Sequence, residues 1–189
     1  MRAIPPLDTD ALSHAASIVR DGGVIAYPTE AVFGLGCDPE NEQAVQRILA
    51  LKHRDVRKGL LLIGGSYAQI APWIKVSAQQ AQFLETAWPY ATTYLVDASD
   101  KVPAWIRGEH SKVGVRLTQH PVAAALCNAF GGLLVSTSAN VSGADPASTA
   151  SQCREQFGGQ LDLVFEGDCD SHARPSTIID LASGDILRA

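Results

Sequence analysis

Leu12, Ala15, Ala16 and Val19 recur at the spacing of one helical face, with Asp8 or Thr9 available as a cap before them and Gly22-Gly23 as a stop after them. A helix is expected there, followed at once by a short buried strand, Val24 to Tyr27, that ends at Pro28. From Asn41 to Lys52 the apolar positions Val45, Ile48 and Leu49 again share a helical face, and Leu60 to Ile63 reads as the next strand. Ser77 and Gln80 have the spacing of a capping box for a helix carrying Ala81, Leu84 and Trp88 and closed by Pro89. Strands are expected at Thr93 to Val96 and Val113 to Leu117, and a helix opened by His120-Pro121 and stopped by Gly131-Gly132. A strand at Leu133 to Ser136, a helix near Ser148 to Phe157, and strands near Leu161 to Phe165, Thr177 to Leu181 and Ile186 to Leu187 complete the pattern. Helices and strands alternate while the last third is rich in strands. The expectation is an α/β fold: a twisted mixed sheet flanked by helices, with antiparallel pairing toward the end.

Composition narrows this picture. The 189 residues, 46% hydrophobic and 19% charged, suit one globular domain covering residues 1–189, with no internal repeat or low-complexity linker to divide it. Apolar runs such as Leu60 to Ile63 fall far short of the ~20 residues that cross a bilayer, so no membrane association is expected. The segment from Met1 to Leu7 reaches Pro5 and Pro6 without an apolar stretch behind Arg2, which points to a cytoplasmic protein. Cys37, Cys127, Cys153 and Cys169 are too scattered for a zinc motif or disulfide framework, and the histidines at 14, 53, 110, 120 and 172 lack metal-ligand spacing. No protein-held transition metal is expected. A net charge of −5 argues against wholesale nucleic-acid binding but leaves room for a local basic patch.

That patch is Lys52-His53-Arg54-Asp55-Val56-Arg57-Lys58, between a helix end and a strand. No Gly-x-x-x-x-Gly-Lys-Ser/Thr or Gly-x-Gly-x-x-Gly signature is present, so a phosphate would have to be held by a mobile ammonium and a forked guanidinium of this kind. Basic residues at a helix C-terminus equally complement its dipole, and composition favours that role. A second cluster, Ser136-Thr137-Ser138-Ala139-Asn140, follows an apolar strand and offers three hydroxyls and an amide, suited to a carboxylate or phosphate and equally to turn chemistry. Pro28-Thr29-Glu30, Arg116 and Pro175-Ser176-Thr177 also fall at strand boundaries, where α/β sheets bind ligands. Their joint placement suggests one composite pocket.

Taken together the segments resemble the YrdC/TsaC family of threonylcarbamoyl-AMP synthases from about Gly22 to Arg188. The likeness rests on Tyr27-Pro28-Thr29-Glu30-Ala31-Val32-Phe33-Gly34-Leu35-Gly36-Cys37-Asp38, Lys52-x-Arg54, Lys58-Gly59-Leu60, Val115-Arg116, His120-Pro121, Ser138-x-Asn140, Pro175-Ser176-Thr177 and Leu187-Arg188. It implies a twisted sheet around a concave, positively lined cavity. It further implies ATP held by Lys52, Arg54, Ser138, Asn140 and Arg188, with Lys52 and Arg54 acting in catalysis. Threonine would be held by Thr29, Arg116, Ser136 and Ser176. By the same resemblance the substrates are L-threonine, bicarbonate and ATP with Mg2+. No tightly bound organic cofactor is implied. The product would pass to a transferase complex that modifies tRNA. The rival implication is a catalytically silent relative that holds structured RNA on the same basic concavity; any RNA contact should be weak and salt-sensitive against the overall negative charge. A carbamoyl-transfer domain of a hydrogenase-maturation protein is disfavoured because such domains sit in longer chains. One segment departs from the family: where Trp-Pro-Gly-Pro-x-Thr is usual, this chain has Trp88-Pro89-Tyr90-Ala91-Thr92-Thr93. Restoring glycine and proline is expected to raise turnover.

Overall fold

The computed structural model describes residues 8–170 and 174–188. The readings made on Met1 to Leu7 and on His172 lie outside the described residues. Helix α1, Thr9–Arg20, begins where Asp8 accepts hydrogen bonds from the backbone N–H groups of Asp10 and Ala11, and its buried face is Leu12, Ala15, Ala16 and Val19. β1 (Ile25–Pro28) and β2 (Phe33–Gly36) form an antiparallel hairpin, and α2 (Glu42–Lys52) follows, capped by Asn41. Next come β3 (Leu61–Gly64), α3 (Tyr67–Ile70), β4 (Ile74–Lys75), α4 (Ala78–Thr86), β5 (Thr92–Ala98) and α5 (Ala104–Arg107). β6 (Lys112–Leu117), α6 (Pro121–Phe130), β7 (Leu134–Ser138) and α7 (Ala150–Phe157) lead to β8 (Leu163–Val164), β9 (Thr177–Asp180) and β10 (Ile186–Arg188).

The strands form one mixed sheet in the order β10-β9-β5-β6-β3-β7-β2-β1-β8, with β4 paired to β5 at the side. Antiparallel pairing runs through the whole sheet and is not confined to the end of the chain: β1 to β2, β2 to β7, β3 to β7 and β5 to β6 are all antiparallel. Parallel pairs join β3 to β6, β5 to β9 and β1 to β8.

Beyond shifts of a residue or two and the short α3, β4 and α5, four departures from the expected pattern have a clear local cause. β2 escaped notice because Gly34 and Gly36 occupy alternate positions and glycine weakens a strand signal. They fit because a Cβ at Gly36 would stand 2.6 Å from the Tyr27 ring. Pro28 belongs to β1; it lies past the Ile25–Leu163 and Ala26–Val164 pairs, so its missing N–H costs no ladder bond toward β8. Helix α4 stops at Thr86, before Trp88, because a residue preceding proline avoids the helical region. The Trp88 indole instead donates to the Thr92 carbonyl at 2.9 Å. β7 continues to Ser138, so the hydroxyl cluster begins within the strand and not after it.

Side-chain alternation divides the two faces of the sheet. Leu62, Val113, Val115, Val135, Phe33 and Leu35 join the larger core with Val45 and Ile48 of α2, Leu84 of α4 and Phe157 of α7. Ile25, Tyr27, Ile63 and Leu134 form a second core with α1 and α6. Ile63 and Arg116 are register partners, as are Leu61 and Gly114, and Leu61 and Ser136. The face that α1 and α6 cover in part is therefore also the face on which Gly114, Arg116 and Ser136 lie. No helix of the described residues is long and apolar enough to cross a membrane.

Candidate active site

The uncovered part of that face is a cavity of about 840 Å³, within the ~300–1,000 Å³ of small-molecule sites. Its walls come from separate elements: Thr29 and Glu30 in the β1–β2 turn, Arg54 and Lys58 after α2, Arg116 on β6, Ser136 and Ser138 on β7, Ser176 before β9 and Arg188 on β10. Seven basic residues line it (Arg54, Lys58, Arg107, Lys112, Arg116, Arg174 and Arg188) against the carboxylates Glu30 and Glu109. A chain of net charge −5 thus concentrates positive charge at one concavity, which selects an anion.

The floor is built around Arg116, which is 9% exposed. Its Nη1 lies 3.6 Å from Oε2 of Glu30, itself 1% exposed. Burial pushes the Glu30 carboxyl upward, but the Arg116 charge and hydrogen bonds from Thr118 and Gln119 prevail and hold it below the usual range. Thr29 donates its hydroxyl to the Val32 carbonyl at 2.6 Å, which closes the turn. Gly34 admits Thr29 and Ser136 to the same corner, since a Cβ there would stand 3.2 Å from Thr29 Cγ2 and 3.3 Å from Ser136 Oγ. The Ser176 hydroxyl shares a hydrogen bond with Thr93 at 2.9 Å and accepts one from Arg188 at 3.2 Å. Arg188 also grips the Ser176 carbonyl through Nε and Nη2, at 3.1 and 2.7 Å. Burial first, and then the Arg116 charge, lower its affinity for its proton.

The basic loop divides into three roles. Arg54 and Lys58 reach the cavity, and the Arg54 Nη2 donates to the Gly59 carbonyl at 3.0 Å while its buried Nε has no hydrogen-bond partner among the described residues. Arg57 turns to solvent and pairs with Asp55. Lys52 is buried, 4% exposed, and stands behind the wall: its Nζ donates to the carbonyls of Ser138 and Asn140 and to the Asn140 side chain. Burial, then the neighbouring Arg54 charge, bring its pKa down to about 8, so at neutral pH it remains an ammonium with all three protons engaged. Asn140 is equally occupied, accepting from Ser138 at 2.6 Å and donating to the carbonyls of Val141 and Ala144 at 3.1 and 2.9 Å. Of the expected ATP residues, Arg54, Ser138 and Arg188 line the cavity, whereas Lys52 and Asn140 hold the end of β7 that carries Ser138. All four expected threonine residues, Thr29, Arg116, Ser136 and Ser176, line it.

Lys112 and Arg107 were not singled out by the sequence. Lys112 was detectable, because Lys112, Gly114 and Arg116 alternate onto one face of β6; its ammonium pairs with Asp180. Arg107 had no such signal, as its position depends on where α5 docks. Among the described residues no group of three or more His, Cys, Asp or Glu is placed to hold a metal ion.

The profile of the Sua5/YciO/YrdC family, described as "Telomere recombination", matches residues 17–189. The threonylcarbamoyl-AMP synthase of Cellvibrio japonicus is 48% identical over 178 residues, 94% of this chain and 94% of that protein. A protein of the same name from Alkalilimnicola ehrlichii is 48% identical over 94% of this chain and 95% of its own length. The structure of P. abyssi Sua5 complexed with L-threonine superposes with a TM-score of 0.87 at 30% identity over 94% of this chain, which spans 53% of that longer one. E. coli YciO superposes with a TM-score of 0.85 at 26% identity, covering 96% of this chain and 89% of its own.

Proposed function

The chain belongs to the Sua5/YciO/YrdC family, and from that premise we propose that it is a threonylcarbamoyl-AMP synthase that serves tRNA threonylcarbamoyladenosine formation. The observation that carries this reading is one cavity combining a small polar corner (Thr29, Arg116, Ser136 and Ser176) with further cationic walls from Arg54, Lys58 and Arg188. The first suits an amino acid, the second a polyphosphate. The relatives' shared name supports a transferase, and the threonine-bound relative of the same fold supports threonine as substrate.

The finer assignment is nucleotidyl transfer. Threonine's neutral amine takes up carbon dioxide with loss of a proton, or bicarbonate with loss of water, to give the carbamate; a carbamate oxygen attacks the α-phosphorus of ATP as the bond from that phosphorus to the bridging oxygen breaks, and pyrophosphate leaves. Magnesium would enter as the counter-ion of the triphosphate. The protein contributes position and charge: Arg116 and Ser176 face the amino acid, while Arg54, Lys58 and Arg188 offset negative charge that grows on phosphoryl oxygens and the leaving group. Lys52 and Asn140 act through the placement of Ser138. The product would then be handed to a transferase complex acting on tRNA, and any direct RNA contact is weak and salt-dependent.

Incubation of the protein with L-threonine, bicarbonate, magnesium and ATP should yield pyrophosphate and a threonylcarbamoyl adenylate detectable by mass spectrometry. Arg54→Ala should slow that turnover roughly tenfold to a hundredfold, the equivalent of one charge-assisted hydrogen bond. Its unfolding midpoint should be nearly unchanged, because Arg54 is half-buried and, among the described residues, its side chain bonds only to the nearby Gly59 carbonyl. Normal turnover in Arg54→Ala would remove the phosphate assignment, and no adenylate from the unaltered protein would remove the synthase reading.

A further inference from the structure

Among the described residues that line the cavity, Glu30 is the one buried acidic side chain, since Glu109, the other carboxylate there, is exposed. Its two oxygens are used unequally. Oε1 accepts from the Thr118 hydroxyl at 2.9 Å and from the Gln119 backbone N–H at 3.1 Å. Oε2 has no hydrogen-bond partner among the described residues. Its nearest cation is Arg116 Nη1 at 3.6 Å, longer than the ~2.7–2.9 Å of a charged hydrogen bond, and Arg116 Nε is also without a partner. An ion pair serving only the fold would close that gap, because buried charges recover their lost hydration only through good geometry and saturated hydrogen bonding. Here a buried anion and a buried cation stand side by side, each with a covered atom, Oε2 and Nε, that has no partner among the described residues.

We propose that Glu30 and Arg116 form a two-charge receptor for a free α-amino acid, with Oε2 of Glu30 accepting from the ammonium group while Arg116 takes the carboxylate. The inference rests on the synthase reading and assigns the amine-recognising residue. An α-amino acid carries its opposite charges on adjoining atoms of one carbon, the scale on which Glu30 and Arg116 are set. Apart from the solvent-exposed Glu109, the other charged groups of the wall are poor partners for an ammonium: Arg54, Lys58, Arg107, Lys112, Arg174 and Arg188 all repel it. Glu30 thus offsets a cavity field that otherwise excludes the amino end of the substrate while attracting its carboxylate.

The test compares L-threonine with 3-hydroxybutanoate, the same skeleton without the amine, by calorimetric titration. The unaltered protein should bind threonine at least tenfold more tightly, and equal affinity for the two overturns the proposal without any variant. Glu30→Gln preserves the shape and an acceptor for Thr118 and Gln119 but removes the charge. It should weaken threonine roughly ten- to a hundredfold and leave 3-hydroxybutanoate within about twofold. Glu30→Asp, which keeps the charge, should recover part of the preference for threonine. Equal weakening of both ligands in Glu30→Gln would make Glu30 a prop for Arg116 and overturn the receptor. Failure of the unaltered protein to bind threonine at all would instead overturn the synthase reading, a result distinct from altered selectivity.

Discussion

Lys52→Met is expected to lose about 1–3 kcal/mol of stability and at least a hundredfold in turnover, a combined effect that Arg54→Ala should not show. The reason is the position of the ammonium. Lys52 donates to Ser138 O, Asn140 O and Asn140 Oδ1 from a site that is 4% exposed. Methionine fills similar space but removes the ammonium: Ser138 O keeps the Asn140 N–H at 2.9 Å and Asn140 Oδ1 keeps the Ser138 hydroxyl at 2.6 Å, while Asn140 O is left without a donor among the described residues, at ~1–3 kcal/mol for a buried polar group left unsatisfied. Relief from burying a charge returns part of that cost. The segment from Ser138 to Ala144 then keeps the Asn140 amide bonds to Val141 and Ala144 and the Ser142 bonds to the Lys52 carbonyl, but loses the ammonium that ties Ser138 and Asn140 to α2. Ser138 would shift in the cavity wall, and a displacement of about 1 Å can cost ~100-fold in rate. Denaturant unfolding and pyrophosphate release measure the two losses. Full stability with lost turnover would show that Lys52 leaves its carbonyls and meets the substrate directly.

Ala91→Pro is expected to cost about 2–3 kcal/mol and to weaken threonine binding, although the family pattern places proline there. Ala91 has a φ of +48°, a left-handed conformation that proline, fixed near −65°, does not adopt. The residue also opens β5: its carbonyl accepts from Thr177 N at 3.1 Å, Thr92 and Thr177 are register partners, and Thr93 bonds Ser176. Strain at residue 91 is therefore transmitted to a threonine-site hydroxyl through two strands. The expectation that glycine at 90 with proline at 91 raises turnover is reversed for a loop that follows this path. Ala91→Gly should be neutral to ~1 kcal/mol stabilising, as relief of the left-handed conformation outweighs the added freedom of the unfolded chain. Thermal unfolding and threonine titration of the two variants separate these outcomes. An Ala91→Pro protein as stable as the parent would mean that the loop takes the family's path.

Local rules were enough for much of this molecule. Asp8, Asn41, Ser77 and the His120-Pro121 pair mark helix starts because capping depends on atoms within a few residues, and α1, α2, α4 and α6 begin where those residues place them. The motif residues Thr29, Arg54, Arg116, Ser136, Ser138, Ser176 and Arg188 were visible as a set, and they do converge on one cavity. What only the tertiary structure decided was the use of each polar atom. Lys52 and Arg54 are two residues apart, yet one is turned into the carbonyls of Ser138 and Asn140 and the other into the cavity, because the approach of β7 to the end of α2 supplies acceptors to the first alone. Glu30 is legible in the sequence only as part of a strand-boundary motif; that Arg116 stands 3.6 Å from it depends on where β6 lies. Capping and periodicity are short-range and written in neighbouring residues, whereas burial, charge pairing and the sharing of hydrogen bonds depend on which distant strands lie side by side.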